Sequence, residues 1–236
     1  VIAEVRTIMG QDRHMTHRVD GMPLPVWLPE SGSGPGIVLI QEIFGLDGYL
    51  RGVAEQLAAL GYVVAVPELF HRFQPGWVGE HDEAGIQRSM EVVGNLDFPL
   101  AVQDVTASVE YLRGLPEVTG GVGVLGFCLG GTLAYSAAVA ADPDTAVSFY
   151  GSGVPDQIGT LDQVSCPILF LFGTEDPYLP GYQKVVDAAE GHPGAEIHLE
   201  AAGHAFLNHL GPWYAEEAAH RAWDVTTAFL ARTLPV

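Results

Sequence analysis

The sequence predicts an α/β fold with a mostly parallel central sheet and helices on both faces. Two observations carry this. Short β-branched apolar runs, with no polar residue at alternate positions, recur at 37–41, 62–66, 122–127, 146–150 and 168–172. Such continuous apolarity marks strands buried on both faces. Segments of helical periodicity separate these runs, and that alternation is the signature of parallel strands joined by crossover helices. The whole of 1–236 reads as one domain, with 1–35 supplying N-terminal edge strands and a turn.

In chain order, 4–8 and 25–28 read as edge strands of a short antiparallel start, and the Gly/Ser-rich stretch 31–36 as the turn before the first core strand. After the strand at 37–41, residues 49–60 are helical and stop at Gly61, a C-cap signal. A strand at 62–66 leads into a Pro/Gly/aromatic loop at 70–79. Helices follow at 82–94 and 100–112, then a strand at 122–127, a helix at 131–141 and a strand at 146–150. Residues 151–165 read as a loop. A strand at 168–172, a helix at 181–190, a strand at 196–200 and a closing amphipathic helix at 215–232 complete the chain.

Composition narrows the partners. Ten basic residues stand against 29 acidic ones, a net charge of −19. That charge repels phosphate backbones and anionic lipid, so neither nucleic acid nor a membrane is expected as a partner. No apolar run has the length of a membrane span. The first residues lack a basic stretch followed by an apolar one, so a cytoplasmic location is the expectation. Two cysteines are too few for a disulfide framework. Cys166 opens an apolar strand and reads as a small core residue. No His/Cys spacing suggests a metal site.

Cys128 reads differently. It is the centre of Gly126-Phe127-Cys128-Leu129-Gly130, between an apolar strand and a helix. This is the G-x-S-x-G nucleophile elbow of α/β-hydrolases with sulfur in place of oxygen. Glycines flank the corner because a Cβ there would collide. The helix N-terminus favours negative charge on the sulfur. Active sites of such sheets lie beyond the carboxyl ends of the strands. That rule selects Glu42, Arg72, Cys128, Asp176 and His204. Nucleophile, acid and histidine also follow one another in the hydrolase chain order. Asp176 is favoured over its neighbour Glu175 as the group that orients His204. The backbone N–H groups of Leu129 and Ile43 are candidates for an oxyanion hole. Glu42 either satisfies loop amides or faces Cys128, where its charge would oppose a thiolate.

Gln41-Glu42-Ile43-Phe44-Gly45, Pro67-Glu68-Leu69-Phe70-His71-Arg72, Gly126-Phe127-Cys128-Leu129-Gly130-Gly131 and Gly203-His204-Ala205-Phe206 together resemble the dienelactone hydrolase (carboxymethylenebutenolidase) family. The resemblance covers nearly all of 25–230. It implies an α/β-hydrolase fold, a cofactor-free cytosolic enzyme that opens a lactone, and a triad of Cys128, His204 and Asp176. Glu42 would gate the thiol, holding it unreactive until substrate displaces the carboxylate. In the family two arginines hold the substrate carboxylate. Arg72 matches one; the other position, four residues after the histidine, is Asn208 here, and the usual serine after the histidine is Ala205. Losing one charge-assisted hydrogen bond costs roughly 1.5–3 kcal/mol, which favours neutral or differently placed substrates over the carboxylate-bearing dienelactone. Phe44, Phe73, Trp77, Phe206 and Trp213 offer apolar surface for an aromatic or alicyclic ester.

The reading is therefore a cysteine hydrolase of a lactone or small activated ester, monomeric or homodimeric, binding a small molecule. A thioesterase or aryl esterase with the same triad, and a non-catalytic redox- or ligand-responsive protein, remain as alternatives.

Overall fold

Eight strands form one sheet in the order β1-β2-β4-β3-β5-β6-β7-β8 in the computed structural model, which describes residues 14–236. The strands are β1 His14–Val19, β2 Met22–Trp27, β3 Gly34–Ile40, β4 Val63–Ala65, β5 Val118–Phe127, β6 Thr145–Phe149, β7 Ile168–Gly173 and β8 Ala195–Glu200. β1 and β2 pair antiparallel, as do β2 and β4; every other neighbouring pair is parallel. The predicted α/β architecture is the one observed.

The core strands are apolar throughout because both faces are covered. Val38 and Ile40 of β3 point into one core while Ile37 and Leu39 point into the other. The first core is closed by α3 Phe98–Arg113, α4 Leu129–Ala140 and α6 Tyr182–Ala189. The second is closed by α1 Gly48–Ala59 and α7 Glu216–Thr233. Asp47 caps α1 by accepting from the Leu50 amide at 2.8 Å. α7 is tied to β8 through Arg221, whose guanidinium donates to Glu200 at 2.7 Å.

Several local expectations differ from the structure. The strand expected at 4–8 lies outside the described residues. His14 and His17 belong to β1, in a hairpin whose turn is Asp20-Gly21 with φ of 50° and 89°. An Asp-Gly pair with both φ positive matches the twist of the flanking strands. The expected loop at 151–165 contains α5 Val154–Gln157 and a 3-10 helix Ile158–Gln163. Cys166 is buried just ahead of β7, and burial pushes its thiol up to about 12. α2, Glu83–Val93, buries only Gly85 and Ser89; its last turn, Val92 and Val93, packs against the first core, while Ile86 and Met90 reach the cleft at Cys128. Among the described residues no helix is long and apolar enough to cross a membrane.

Candidate active site

β5 delivers Cys128 to a sharp corner before α4. Its backbone sits at φ 53°, ψ −112°, a conformation that costs a non-glycine residue about 1–3 kcal/mol. Packing holds it there. The Cys128 amide donates to Phe149 O at 3.0 Å, and the Cys128 carbonyl accepts from the Thr132 amide at 3.1 Å. The neighbouring glycines permit the approach. A Cβ on Gly126 would lie 2.0 Å from Gly130 O, and one on Gly130 would lie 2.3 Å from Ile40 O. One on Gly131 would lie 2.3 Å from Phe149 O. Each collision is with backbone, which cannot step aside. Gly126→Ala is accordingly expected to lower unfolding free energy by about 3 kcal/mol or more, read by urea denaturation.

The carboxyl ends of five parallel strands converge around this corner. Glu42 follows β3, Cys128 β5, Tyr150 β6, Asp176 β7 and His204 β8. His204 Nε2 is 3.0 Å from Cys128 Sγ, and its Nδ1 is 2.6 Å from Asp176 Oδ2. The other Asp176 oxygen accepts from the Tyr178 amide at 2.8 Å. Both oxygens of this buried carboxylate are thus engaged, while Glu175 is exposed. Burial works against charge on His204. The hydrogen bonds to Asp176 and Cys128, and their negative charge, outweigh it and raise the pKa to about 10. His204 Nε2 is thus placed to exchange a proton with the sulfur.

Glu42 is 4% exposed. Its Oε1 accepts from Tyr150 Oη at 3.2 Å and its Oε2 from Asn208 Nδ2 at 2.6 Å. The sulfur is paired with His204 rather than with Glu42, so the resting thiol–carboxylate hydrogen bond implied by the resemblance is not the arrangement seen. Burial is the largest influence on Glu42 and raises its pKa from 4.5 to about 7, against the lowering effect of Asn208. The folded protein therefore binds this proton more tightly than the unfolded chain. The resulting stability is fully present below about pH 4.5 and is lost as pH rises through about 7. Glu42→Gln removes that loss. It is expected to be more stable than wild type by about 3 kcal/mol at pH above 8, and to match it near pH 4.5, by urea denaturation at each pH.

Leu129 is the first residue of α4, so its amide has no intrahelical acceptor. Ile43 lies across the same opening and lines a cleft of about 180 Å³ above Cys128. Phe44 forms part of its wall. The Phe44 ring packs tilted against His81 with centroids 4.0 Å apart, and His81 Nε2 is 2.7 Å from Asp47, the α1 cap. Tyr178 stands edge-on to His204 at 5.3 Å and to Trp213 at 6.3 Å.

Other expected substrate contacts lie elsewhere. The Arg72 guanidinium is held by both oxygens of Asp104 on α3, at 2.5 and 2.8 Å, and does not line the cleft. Phe206 is fully buried against Tyr150 at 5.6 Å, because the chain after His204 turns into the core. Phe73 packs on Phe70 at 5.5 Å. Trp77 lines a separate hollow of about 60 Å³ with Gln41 and Glu68. Asn208 is buried as the partner of Glu42. Sequence reasoning missed Tyr150, although it too stands past a strand end. It also missed Ile86 and Met90 of α2, which roof the cleft. Among the described residues no cluster of His, Cys, Asp or Glu is arranged to hold a metal ion.

Comparison with known proteins gives a consistent picture. The profile described as the dienelactone hydrolase family matches residues 25–234. A carboxymethylenebutenolidase of a Pseudomonas species is 32% identical over 212 residues, covering 89% of each chain. Another, from Pseudomonas putida, is 32% identical over 207 residues, covering 86% of this chain and 88% of its own. A putative dienelactone hydrolase from Klebsiella pneumoniae superposes with a TM-score of 0.74 at 23% identity, covering 98% of both chains. A dienelactone hydrolase-like promiscuous phosphotriesterase from metagenomic libraries gives 0.76 at 22% identity, covering 94% of this chain and 98% of its own. These two structural likenesses concern the fold.

Proposed function

Because this chain belongs to the dienelactone hydrolase family and is a carboxylic ester hydrolase, we propose that it cleaves a lactone or small activated ester with Cys128 as nucleophile. The observation that carries this reading is the unbroken relay from Cys128 Sγ through His204 to Asp176, at 3.0 and 2.6 Å. It lies beneath an open cleft and beside the first amides of a helix.

The chemistry follows from that geometry. The Cys128 thiolate attacks the ester carbonyl carbon, and the displaced electron pair makes the carbonyl oxygen an anion. The amides of Leu129 and Ile43 stabilise that anion. As the tetrahedral centre collapses, the alkoxide leaves and takes the proton from His204 Nε2. A thioester on Cys128 remains. A water then attacks the thioester carbonyl and gives its proton to Nε2, and the acid product departs as the thiolate is released. Asp176 fixes the tautomer and stabilises the imidazolium throughout. In a lactone the leaving alcohol stays tethered to the acyl group, so one ring opens to one hydroxy acid.

Glu42 acts as a charge gate on this cycle. While ionised it places a second negative charge near the sulfur and opposes the thiolate; as a neutral acid it does not. The pKa of about 7 puts that change within the neutral range.

Iodoacetamide tests the assignment. Cys128 is half-buried and beside an imidazolium, whereas Cys166 is buried with its thiol pushed up to about 12. Peptide mapping should find Cys128 alkylated first, with ester hydrolysis lost in proportion. Full hydrolysis in protein carbamidomethylated at Cys128 would overturn the reading.

A further inference from the structure

We infer that the Cys128 cleft selects uncharged, apolar substrates and rejects those bearing a carboxylate. The inference rests on the proposed Cys128 chemistry and adds the substrate class. The walls are almost wholly carbon: Phe44 on one side, Ile86 and Met90 of α2 above, Tyr178 and Trp213 on the other side. Among the described residues no lysine or arginine lines the cleft. The guanidinium that matches one of the family's two arginines, Arg72, is neutralised by a bidentate pair with Asp104 of α3. At position 208, an amide occupies itself with Glu42 at 2.6 Å. The one positive group near the sulfur, the His204 imidazolium, is already engaged by Asp176 at 2.6 Å and by the sulfur at 3.0 Å, and Glu42 adds a further acidic group, in a protein of net charge −19.

An anionic group entering such a site would lose its water and meet no unpaired cation, since both His204 nitrogens are already engaged, and that desolvation goes unrepaid. A neutral ring instead finds a matching surface. Tyr178 and Trp213 form an edge-to-face pair 6.3 Å apart beside His204, and Phe44 presents its ring across the opening. The cleft of about 180 Å³ suits one ring carrying a small ester, since an apolar cavity of about 150 Å³ holds one benzene. Ile86 and Met90 stand one helical turn apart on α2, so both reach the same bound group.

The test is a matched pair of substrates, the para-acetoxybenzoate anion and its methyl ester. Each kcat/KM is divided by that compound's rate with hydroxide, so that leaving-group differences cancel. The neutral ester should be favoured by about 10- to 100-fold in the wild type, with Cys128→Ala inactive on both. Met90→Arg, a change on an exposed rim residue, should shift the ratio toward the anion by about tenfold or more. Equal or faster Cys128-dependent turnover of the anion would overturn the substrate class and leave the nucleophile standing. A ratio unmoved by Met90→Arg would overturn the role of the α2 rim in selection. Hydrolysis that persists in Cys128→Ala would overturn the nucleophile itself, and the inference with it.

Discussion

Cys128→Ala is expected to lower kcat/KM for p-nitrophenyl acetate by about 10⁴-fold or more, with the melting temperature and circular dichroism close to wild type. Removing a covalent nucleophile typically leaves only the catalysis supplied by oxyanion stabilisation and binding. The fold should tolerate the change. The corner is shaped by Gly126, Gly130 and Gly131 and by the Cys128 backbone bonds, none of which involve the sulfur. Alanine also meets the positive φ at no greater steric cost than cysteine. Cys128→Ser should be a poor enzyme as well. The thiolate needs only the adjacent imidazolium, whereas a serine must lose a far less acidic proton beside the Glu42 carboxyl. Hydrolysis within tenfold of wild type in Cys128→Ala would remove the sulfur from the mechanism.

His204→Ala should cost about 10³- to 10⁴-fold, through two losses at once. The thiolate loses its counter-charge, and the leaving alcohol and the attacking water lose their proton relay. The first loss is visible without any substrate: alkylation of Cys128 by iodoacetamide should slow in the variant. The double variant Cys128→Ala/His204→Ala should be no worse than Cys128→Ala alone, because the two side chains act as a unit. Additive losses would mean that His204 serves some step independent of the sulfur. Asp176 would be left buried with one oxygen still held by the Tyr178 amide, so part of the variant's loss should appear as stability.

Cys128 and Asp176 were legible because each follows a buried parallel strand, which leaves a clear apolar signature; His204 follows the edge strand β8, where only Glu200 is buried, and was legible by its place after the last strand. The sheet carries their carboxyl ends to one edge, which brings His204 within 3.0 Å of the sulfur across 76 residues of sequence. The glycine pattern at 126, 130 and 131 was legible for a related reason, since a required absence of Cβ is written directly in the residue type. Long-range polar pairing left no such trace. Asp104 claims Arg72 from a helix 32 residues away, and nothing in either local sequence announces it. Asn208 could be seen to lack a positive charge, but its hydrogen bond to Glu42 depends on how the loop after His204 folds back. Phe206 looked like a cleft residue by its neighbourhood; one turn of chain put it in the core. α2 was readable as a helix but not as a roof, because it buries only Gly85 and Ser89 and its sequence does not say which element its apolar residues cover. At the N-terminal side, the Asp20-Gly21 pair does carry a hairpin signal, and weighing it would have shown β1.

The polar network around Glu42 links stability to chemistry. Burial raises the Glu42 pKa to about 7, and the hydrogen bonds from Asn208 and Tyr150 offset only part of that rise. Stability lost at alkaline pH and a negative charge near the nucleophile are then two consequences of one buried group.

The most direct measurement is rapid-quench peptide mapping of protein mixed with excess p-nitrophenyl acetate. An acetyl group on the peptide containing Cys128, appearing and then decaying at rates that account for turnover, is the predicted result. Acetylation confined to another residue, with Cys128 unmodified during full turnover, would contradict the account.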